Sequence, residues 1–295
     1  MTHYRGRFAP SPTGELHAGS LASALASYLD AKSNNGQWLV RMEDLDPPRE
    51  VPGAADAILN ALKAHGLESD EQVMRQSHRH LAYQKLIDQL LDSGRAYYCT
   101  CSRSELRASG GIYTGRCRGT NRRPTKEAAI RVYVADECIR VEDTIQGTYC
   151  QNPATSFGDF VLRRKDLLYA YQLAVVVDDA EQRITHVVRG SDLLESTPRQ
   201  MYLQRLLSYP TPHYAHIPVI TNTLGQKLSK QTFASPLVNA NATDNLLSAL
   251  AFLQQPPPPK DIRGAVRGIL DLSIIHNRSR RRKGEGRRQR GADPS

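Results

Sequence analysis

The chain has 295 residues, with 39 Lys and Arg against 30 Asp and Glu for a net charge of +9; that is enough for a nucleotide-binding domain with an insertion and a stable core, with little left for a further large module. No apolar run approaches the roughly 20 residues that span a bilayer, and Met1 to Arg7 lacks the apolar centre of a signal peptide, so a cytoplasmic protein without a membrane partner is expected. Eight basic and two acidic residues fall between Arg278 and Ser295, leaving a mildly basic body and a tail that reads as solvated and disordered, with an RNA-binding arm as the alternative and no DNA partner expected.

In chain order, a short strand is predicted near Tyr4 to Phe8, then a loop, a helix from about His17 to Lys32 and a strand from Trp38 to Met42. Leu21, Leu25, Tyr28 and Leu29 recur at helical spacing and should bury one helix face against a sheet. The opening of that helix offers free N–H groups and a positive dipole end to phosphate, and Gly14 and Gly19 permit close approach. Helices are predicted at Gly53–His65, His78–Ser93 and Asp192–Ser208. Strand-like runs lie at Ala129–Val134, Leu167–Val177, Ile184–Val188 and Ile217–Ile220. This alternation predicts an α/β, doubly wound parallel sheet. Ligands of such sheets sit beyond the carboxyl ends of the strands, where His17, Glu43 and Arg189 should fall.

Five cysteines, two of them one residue apart, fit buried or metal-bound thiols in a reducing compartment better than a disulfide framework. Zinc takes four tetrahedral ligands with thiolates about 2.3 Å away, and Cys99, Cys101 and Cys117 supply three. By spacing alone Cys138 or Cys150 could be the fourth; ordinary buried thiols are the plainer alternative. A metal here would be structural, closing a stretch that Gly110, Gly111, Arg116, Arg118, Arg122 and Arg123 make hard to fold compactly. Those arginines are candidates for RNA phosphate or for a solvated face.

Two separated stretches, Ser11-Pro12-Thr13-Gly14-Glu15-Leu16-His17-Ala18-Gly19-Ser20 and Lys227-Leu228-Ser229-Lys230-Gln231, resemble the His-Ile-Gly-His and Lys-Met-Ser-Lys-Ser signatures of class I aminoacyl-tRNA synthetases. With Gly6 to Gly14, Arg41-Met42-Glu43-Asp44-Leu45-Asp46, Val175 to Asp179 and His186 to Gly190, the match resembles the glutamyl-tRNA synthetase catalytic core over roughly residues 4 to 235. Only 64 residues follow Gln231, and this shortness, with Gln231 itself, resembles the glutamyl-queuosine tRNA(Asp) synthetase subfamily, whose members lack an anticodon-binding part. No family pattern is recognised from about Pro256 onward.

The resemblance implies a Rossmann-type class I fold in five parts. Residues 1–95 and 167–232 are the two halves of the nucleotide-binding unit, 96–166 a small zinc-containing α+β insertion, 233–270 a short helical part and 271–295 a basic tail. It implies His17 and Lys230 as catalytic groups, His17, Gly19, Lys227 and Lys230 on ATP, and Arg7, Phe8, Ala9, Pro10, Ser11, Glu43, Tyr171 and Arg189 around glutamate. The segment Arg7 to Ser11 serves mainly through backbone groups and the Ser11 hydroxyl; Arg41, Asp44 and Asp46 read as scaffolding. Arginine suits the side-chain carboxylate because its rigid fork distinguishes carboxylate from amide. Tyr113 becomes the fourth zinc ligand with Cys99, Cys101 and Cys117, and Mg2+ accompanies ATP.

The implied reaction is attack of the glutamate α-carboxylate on the α-phosphorus of ATP, release of pyrophosphate, and transfer of glutamate to the cyclopentenediol of queuosine at the wobble position of tRNA(Asp). Tyr97, Tyr98 and arginines near Arg118 are candidates for holding that RNA. The competing expectations are a shortened glutamyl-tRNA synthetase charging tRNA(Glu) and a non-catalytic, zinc-stabilised RNA-binding paralogue.

Overall fold

A computed structural model describes residues 3–108, 112–113, 115–120, 122, 124–220, 235–259, 261 and 266–271. Lys227 and Lys230, and nearly all of the basic tail, lie outside the described residues. The elements run β1 (Arg5–Phe8), α1 (Ala18–Ser33), β2 (Gln37–Met42), α2 (Ala54–Ala64), β3 (Met74–Arg75), α3 (His80–Asp92), β4 (Ala96–Cys99), α4 (Arg103–Ala108), β5 (Ala129–Val132), β6 (Ile139–Asp143), β7 (Gly147–Gln151), α5 (Pro153–Ser156), β8 (Val161–Arg163), α6 (Tyr171–Glu181), β9 (His186–Gly190), α7 (Thr197–Leu206), β10 (His213–Ile217) and α8 (Ala242–Phe252). Among the described residues no helix is long and apolar enough to cross a membrane.

A seven-stranded sheet has the order β3-β2-β1-β9-β10-β6-β7, parallel except for the β6–β7 hairpin. A separate antiparallel sheet has the order β4-β5-β8. The chain winds outward from β1 to β2 and β3, then returns to add β9 on the other side of β1. In sheets of this kind, ligands bind at such a reversal, here beyond the carboxyl ends of β1 and β9. The large sheet draws β6 and β7 from the stretch between residues 96 and 166, so one end of the parallel sheet is built from that segment.

Leu21, Leu25 and Leu29 of α1 are buried with Trp38, Val40 and Met42 of β2, and Leu246 and Leu250 of α8 join the same core. The Trp38 indole N–H donates to the Ser27 hydroxyl at 2.9 Å, satisfying a donor that burial would otherwise strand. A second core gathers α3, β5, α6 and α7 around Tyr83, Ile87, Val132, Leu173 and Leu203.

Four sequence expectations need correction. The run Leu167–Val177 is not a strand: Tyr171–Glu181 is helical, and Leu173 to Asp179 are buried without a break. A helix buried on all sides loses the polar stripe that reveals its period, and the Val175-Val176-Val177 run then reads as β. The helix expected from Asp192 splits into a 3-10 segment, Ser191–Ser196, and α7 from Thr197 with Pro198 in its first turn. The last strand is His213–Ile217, ending before Pro218, which has no N–H for the ladder. Finally, Cys138 and Cys150 are joined as a disulfide at the β6–β7 hairpin with Cα atoms 5.9 Å apart. The pairing removes both from candidacy as zinc ligands.

Candidate active site

His17 precedes α1 in extended conformation and caps it: its Nδ1 accepts from the Gly19 N–H at 3.1 Å. A side-chain acceptor here satisfies one of the donors every helix start leaves over. Gly19, expected on ATP, therefore donates to His17, and the Ser20 hydroxyl lies 3.2 Å from His17 Nε2. Across from it, Pro236 bridges to His17 and the Leu237 N–H donates to the Leu16 carbonyl at 2.9 Å. The chain that follows the second signature thus returns to the helix start.

At the end of β1, Arg7 is 4% exposed and reaches both oxygens of Asp179 on α6, at 3.3 and 3.4 Å. Arg41, fully buried in β2, donates to Asp179 at 2.8 Å and to Gln182 at 2.9 Å, and its second amino group lies 3.5 Å from Glu43. Two guanidinium groups sharing one carboxylate keep Asp179 ionised: burial acts to raise its pKa, but Arg7 and Arg41 overcome that and hold it below the usual carboxylate range. Glu43, just past β2, goes the other way. Burial, only partly offset by Arg41 and Arg7, raises its pKa to about 7, and its Oε1 has no hydrogen-bond partner among the described residues. This carboxyl is poised to ionise when a cation arrives.

Arg189, near the end of β9, is also 4% exposed. Its Nε–H donates to His216 at 2.9 Å, and its amino groups reach the Thr197 hydroxyl at 2.9 Å and the Leu193 carbonyl and Tyr171 hydroxyl at 3.4 Å each. Tyr171 begins α6, and burial raises its pKa while the charges of Arg189, Glu43 and Arg7 all act on it. Three of the expected charged residues, from β1, from just past β2 and from β9, thus act on the tyrosine that starts α6. Phe8 stacks near Trp38 with ring centroids 6.5 Å apart. The backbone from Ala9 to Ser11 is fixed by the Glu43 N–H donating to the Pro10 carbonyl at 2.9 Å, and Ser11 is exposed.

The second cluster lies beside the small sheet. The thiol sulfurs of Cys99, Cys101 and Cys117 all lie within 4.8 Å of one another, and the group could hold a metal ion. The Tyr113 hydroxyl oxygen accepts from the Cys99 thiol at 3.5 Å and from the Cys117 N–H at 2.8 Å. Three soft thiols and one phenol fit a tetrahedral site for a borderline-soft ion such as zinc. Burial acts to raise the Cys117 thiol, but the bonds from Tyr113, Thr100 and its cysteine neighbours bring it to about 7, whereas burial pushes Cys101 up to about 11. Gly158 lies against Tyr113 with φ at +63°, and a Cβ there would meet the Tyr113 carbonyl oxygen at 2.2 Å.

The RNA candidates fare differently. Tyr97 is 2% exposed and its hydroxyl donates to Asp159; Arg118 grips the same carboxylate at 2.8 Å through two nitrogens and stacks over Tyr133. Both are structural, because Asp159 is fully buried and needs these donors. Arg116 and Arg122 are exposed, and Tyr98 is half-buried. Sequence reasoning gave no role to Asp179, Asp143 or His216. Asp179 lay inside a quoted motif, and Asp143 ends an alternating Ile139-Arg140-Val141-Glu142-Asp143 pattern that reads as a strand with odd positions buried.

Residues 3–246 match the family described as tRNA synthetases class I (E and Q), catalytic domain. The chain belongs to this family. Proteins named glutamyl-Q tRNA(Asp) synthetase are similar to it over nearly their whole length: one from Neisseria meningitidis serogroup C is 52% identical, covering 92% of this chain and 95% of its own. One from Pseudomonas fluorescens is 54% identical, covering 92% and 91%. Among solved structures, a glutamate tRNA ligase from Elizabethkingia meningosepticum in complex with its amino acid aligns with a TM-score of 0.75 at 29% identity, over 92% of this chain and 64% of that one. The glutamate-tRNA synthetase of Elizabethkingia anophelis aligns at 0.68 and 33%, over 78% and 53%. The chain therefore spans between half and two-thirds of the length of these two structures. It carries a ligase domain of the class I aminoacyl-tRNA synthetase type.

Proposed function

We propose that this synthetase-family chain activates glutamate with ATP to glutamyl-adenylate and transfers the glutamyl group to queuosine at the wobble position of tRNA(Asp). The observation that supports the proposal is that Tyr171 lies 3.4 Å from the buried Arg189 and also feels the charges of Glu43 and the buried Arg7. Arg189 and Tyr171 receive the substrate side-chain carboxylate, Arg7 adds positive charge, and Glu43 ionises to hold the ammonium. Phe8, Ala9, Pro10 and Ser11 form the adjoining wall. Glutamate held this way presents its α-carboxylate to the α-phosphorus of ATP at the start of α1, where His17 and the Gly19 N–H turn from each other to the nucleotide. Positioning and charge stabilisation then lower the barrier, with no covalent intermediate on the protein.

Lys227 and Lys230 are assigned to the pyrophosphate side on their signature alone, and Mg2+ travels with ATP. Zinc, held by Cys99, Cys101, Cys117 and Tyr113, supplies no chemistry to the transfer and holds the segment after β4 to the small sheet. The choice of tRNA(Asp) over tRNA(Glu) is supported by the names of the relatives that match nearly end to end. The reading goes with a cytoplasmic location. The test is incubation with labelled glutamate and ATP of tRNA(Asp) with queuosine, tRNA(Asp) without it, and tRNA(Glu). Label on the first alone, retained when the 3′ adenosine is removed, is the expected result; label on tRNA(Glu) alone overturns the acceptor.

A further inference from the structure

The buried Arg7 and Arg189 both act on Tyr171 but are held in opposite ways. Arg7 is paired to a carboxylate, which cancels most of its charge. Arg189 forms no ion pair among the described residues, and the only acids outside them are Glu285 and Asp293 of the tail. Its polar partners, His216, Thr197, Leu193 and Tyr171, are all uncharged groups. His216 on β10 is fully buried, and its ring is fixed from both sides. A carboxylate only accepts, so His216 Nδ1, 2.6 Å from Asp143 Oδ2, carries the proton, and Nε2 is the lone-pair side that takes the Arg189 Nε–H at 2.9 Å. Asp143 is itself held by the N–H groups of Ile145, Gln146 and His216, at 2.9, 2.8 and 3.2 Å.

The geometry points to His216, set by Asp143, as a positioning residue that fixes the Arg189 fork without neutralising it, so that the buried positive charge selects an acidic substrate side chain over its amide. This rests on the proposed glutamate site and adds the group that tunes it. A carboxylate at position 216 could accept from the same fork but would spend its charge on it, and Arg189 would lose its demand for an anion. A protonated imidazole would turn an N–H toward Arg189. Burial, with the Arg189 charge, keeps His216 neutral by lowering its pKa to about 4, against the opposing pull of Asp143. Asp143 is itself the β6 residue in register with Tyr214 of β10, so the edge of the sheet beyond β10 reaches Arg189 through Asp143 and His216.

The experiment is glutamate-dependent pyrophosphate exchange by the full chain, comparing the parent with His216→Leu, His216→Gln and His216→Glu, with circular dichroism to establish folding and with glutamine as the competing amino acid. Gln retains an acceptor near the Nε2 position. His216→Leu is expected to raise the KM for glutamate by roughly tenfold while kcat and the KM for ATP stay within about threefold, and His216→Gln to restore most of the loss. His216→Glu is expected to reduce the preference for glutamate over glutamine by about tenfold or more. A merely structural role would move kcat and both KM values together, or leave selectivity untouched; either result in folded His216→Gln and His216→Glu overturns the inference, even if His216→Leu does not fold. A parent without glutamate-dependent exchange removes the site reading itself, and the inference with it.

Discussion

Glu43 is a carboxyl that the fold buries without giving it a full partner, and that tension is the residue-scale signature of the site. In the folded chain it holds its proton up to about pH 7, whereas its ordinary value is 4.5. Between those values the folded state binds the extra proton, so this group makes stability fall as pH rises from about 4.5 to 7, and above 7 its ionised form costs on the order of 3 kcal/mol. Glu43→Gln should therefore stabilise the chain at pH 8 relative to pH 5. Urea midpoints of parent and variant at both pH values check this, and an unchanged difference between them contradicts it. Asp179 works in the other sense, since two arginines depend on it. Asp179→Asn strands two buried cations and should cost about 3 kcal/mol in the same measurement, because breaking a buried pair from one side leaves uncompensated charge.

At the scale of elements, α1 and its cap separate structure from chemistry. His17→Asn keeps a good capping acceptor for the Gly19 N–H but removes the imidazole, so thermal stability should stay within about 1 kcal/mol of the parent while pyrophosphate exchange falls by roughly a hundredfold. Equal losses of stability and exchange would make His17 only a cap. Metal removal belongs to this scale as well. Three thiols within 4.8 Å predict one bound zinc per chain by elemental analysis, and Cys101→Ser should release it and speed hydrogen exchange at Tyr98, whose N–H bonds to the Thr120 carbonyl. A zinc-free parent protein would remove the site.

What was legible in the sequence follows the same physics. The β1-α1-β2 unit was readable because Leu21, Leu25 and Leu29 alternate with polar residues on a half-exposed helix. α6 was not, because its buried run leaves no polar face. Arg7, Glu43, Tyr171 and Arg189 were named through motifs that resemble a known family, and in the structure the charges of the other three act on Tyr171. Asp143 and His216 carry no motif, and only the pairing of β10 with β6 brings them together.

At the scale of the whole molecule, the catalytic domain is nearly all there is among the described residues, and α8 is packed onto it as part of the α1 core. The solved relatives extend well beyond it, while the chains named glutamyl-Q tRNA(Asp) synthetase share its length. In the segment after β4, Arg122 is exposed, whereas Arg116 lies 2.9 Å from Glu105 and Arg118 is held by the buried Asp159. The most direct measurement is the formation of glutamyl-adenylate by the full chain from labelled glutamate and ATP. The account predicts glutamate-dependent adenylate and pyrophosphate, with glutamine and aspartate inactive; no adenylate from any of the three, with each candidate tRNA supplied in turn, would contradict it.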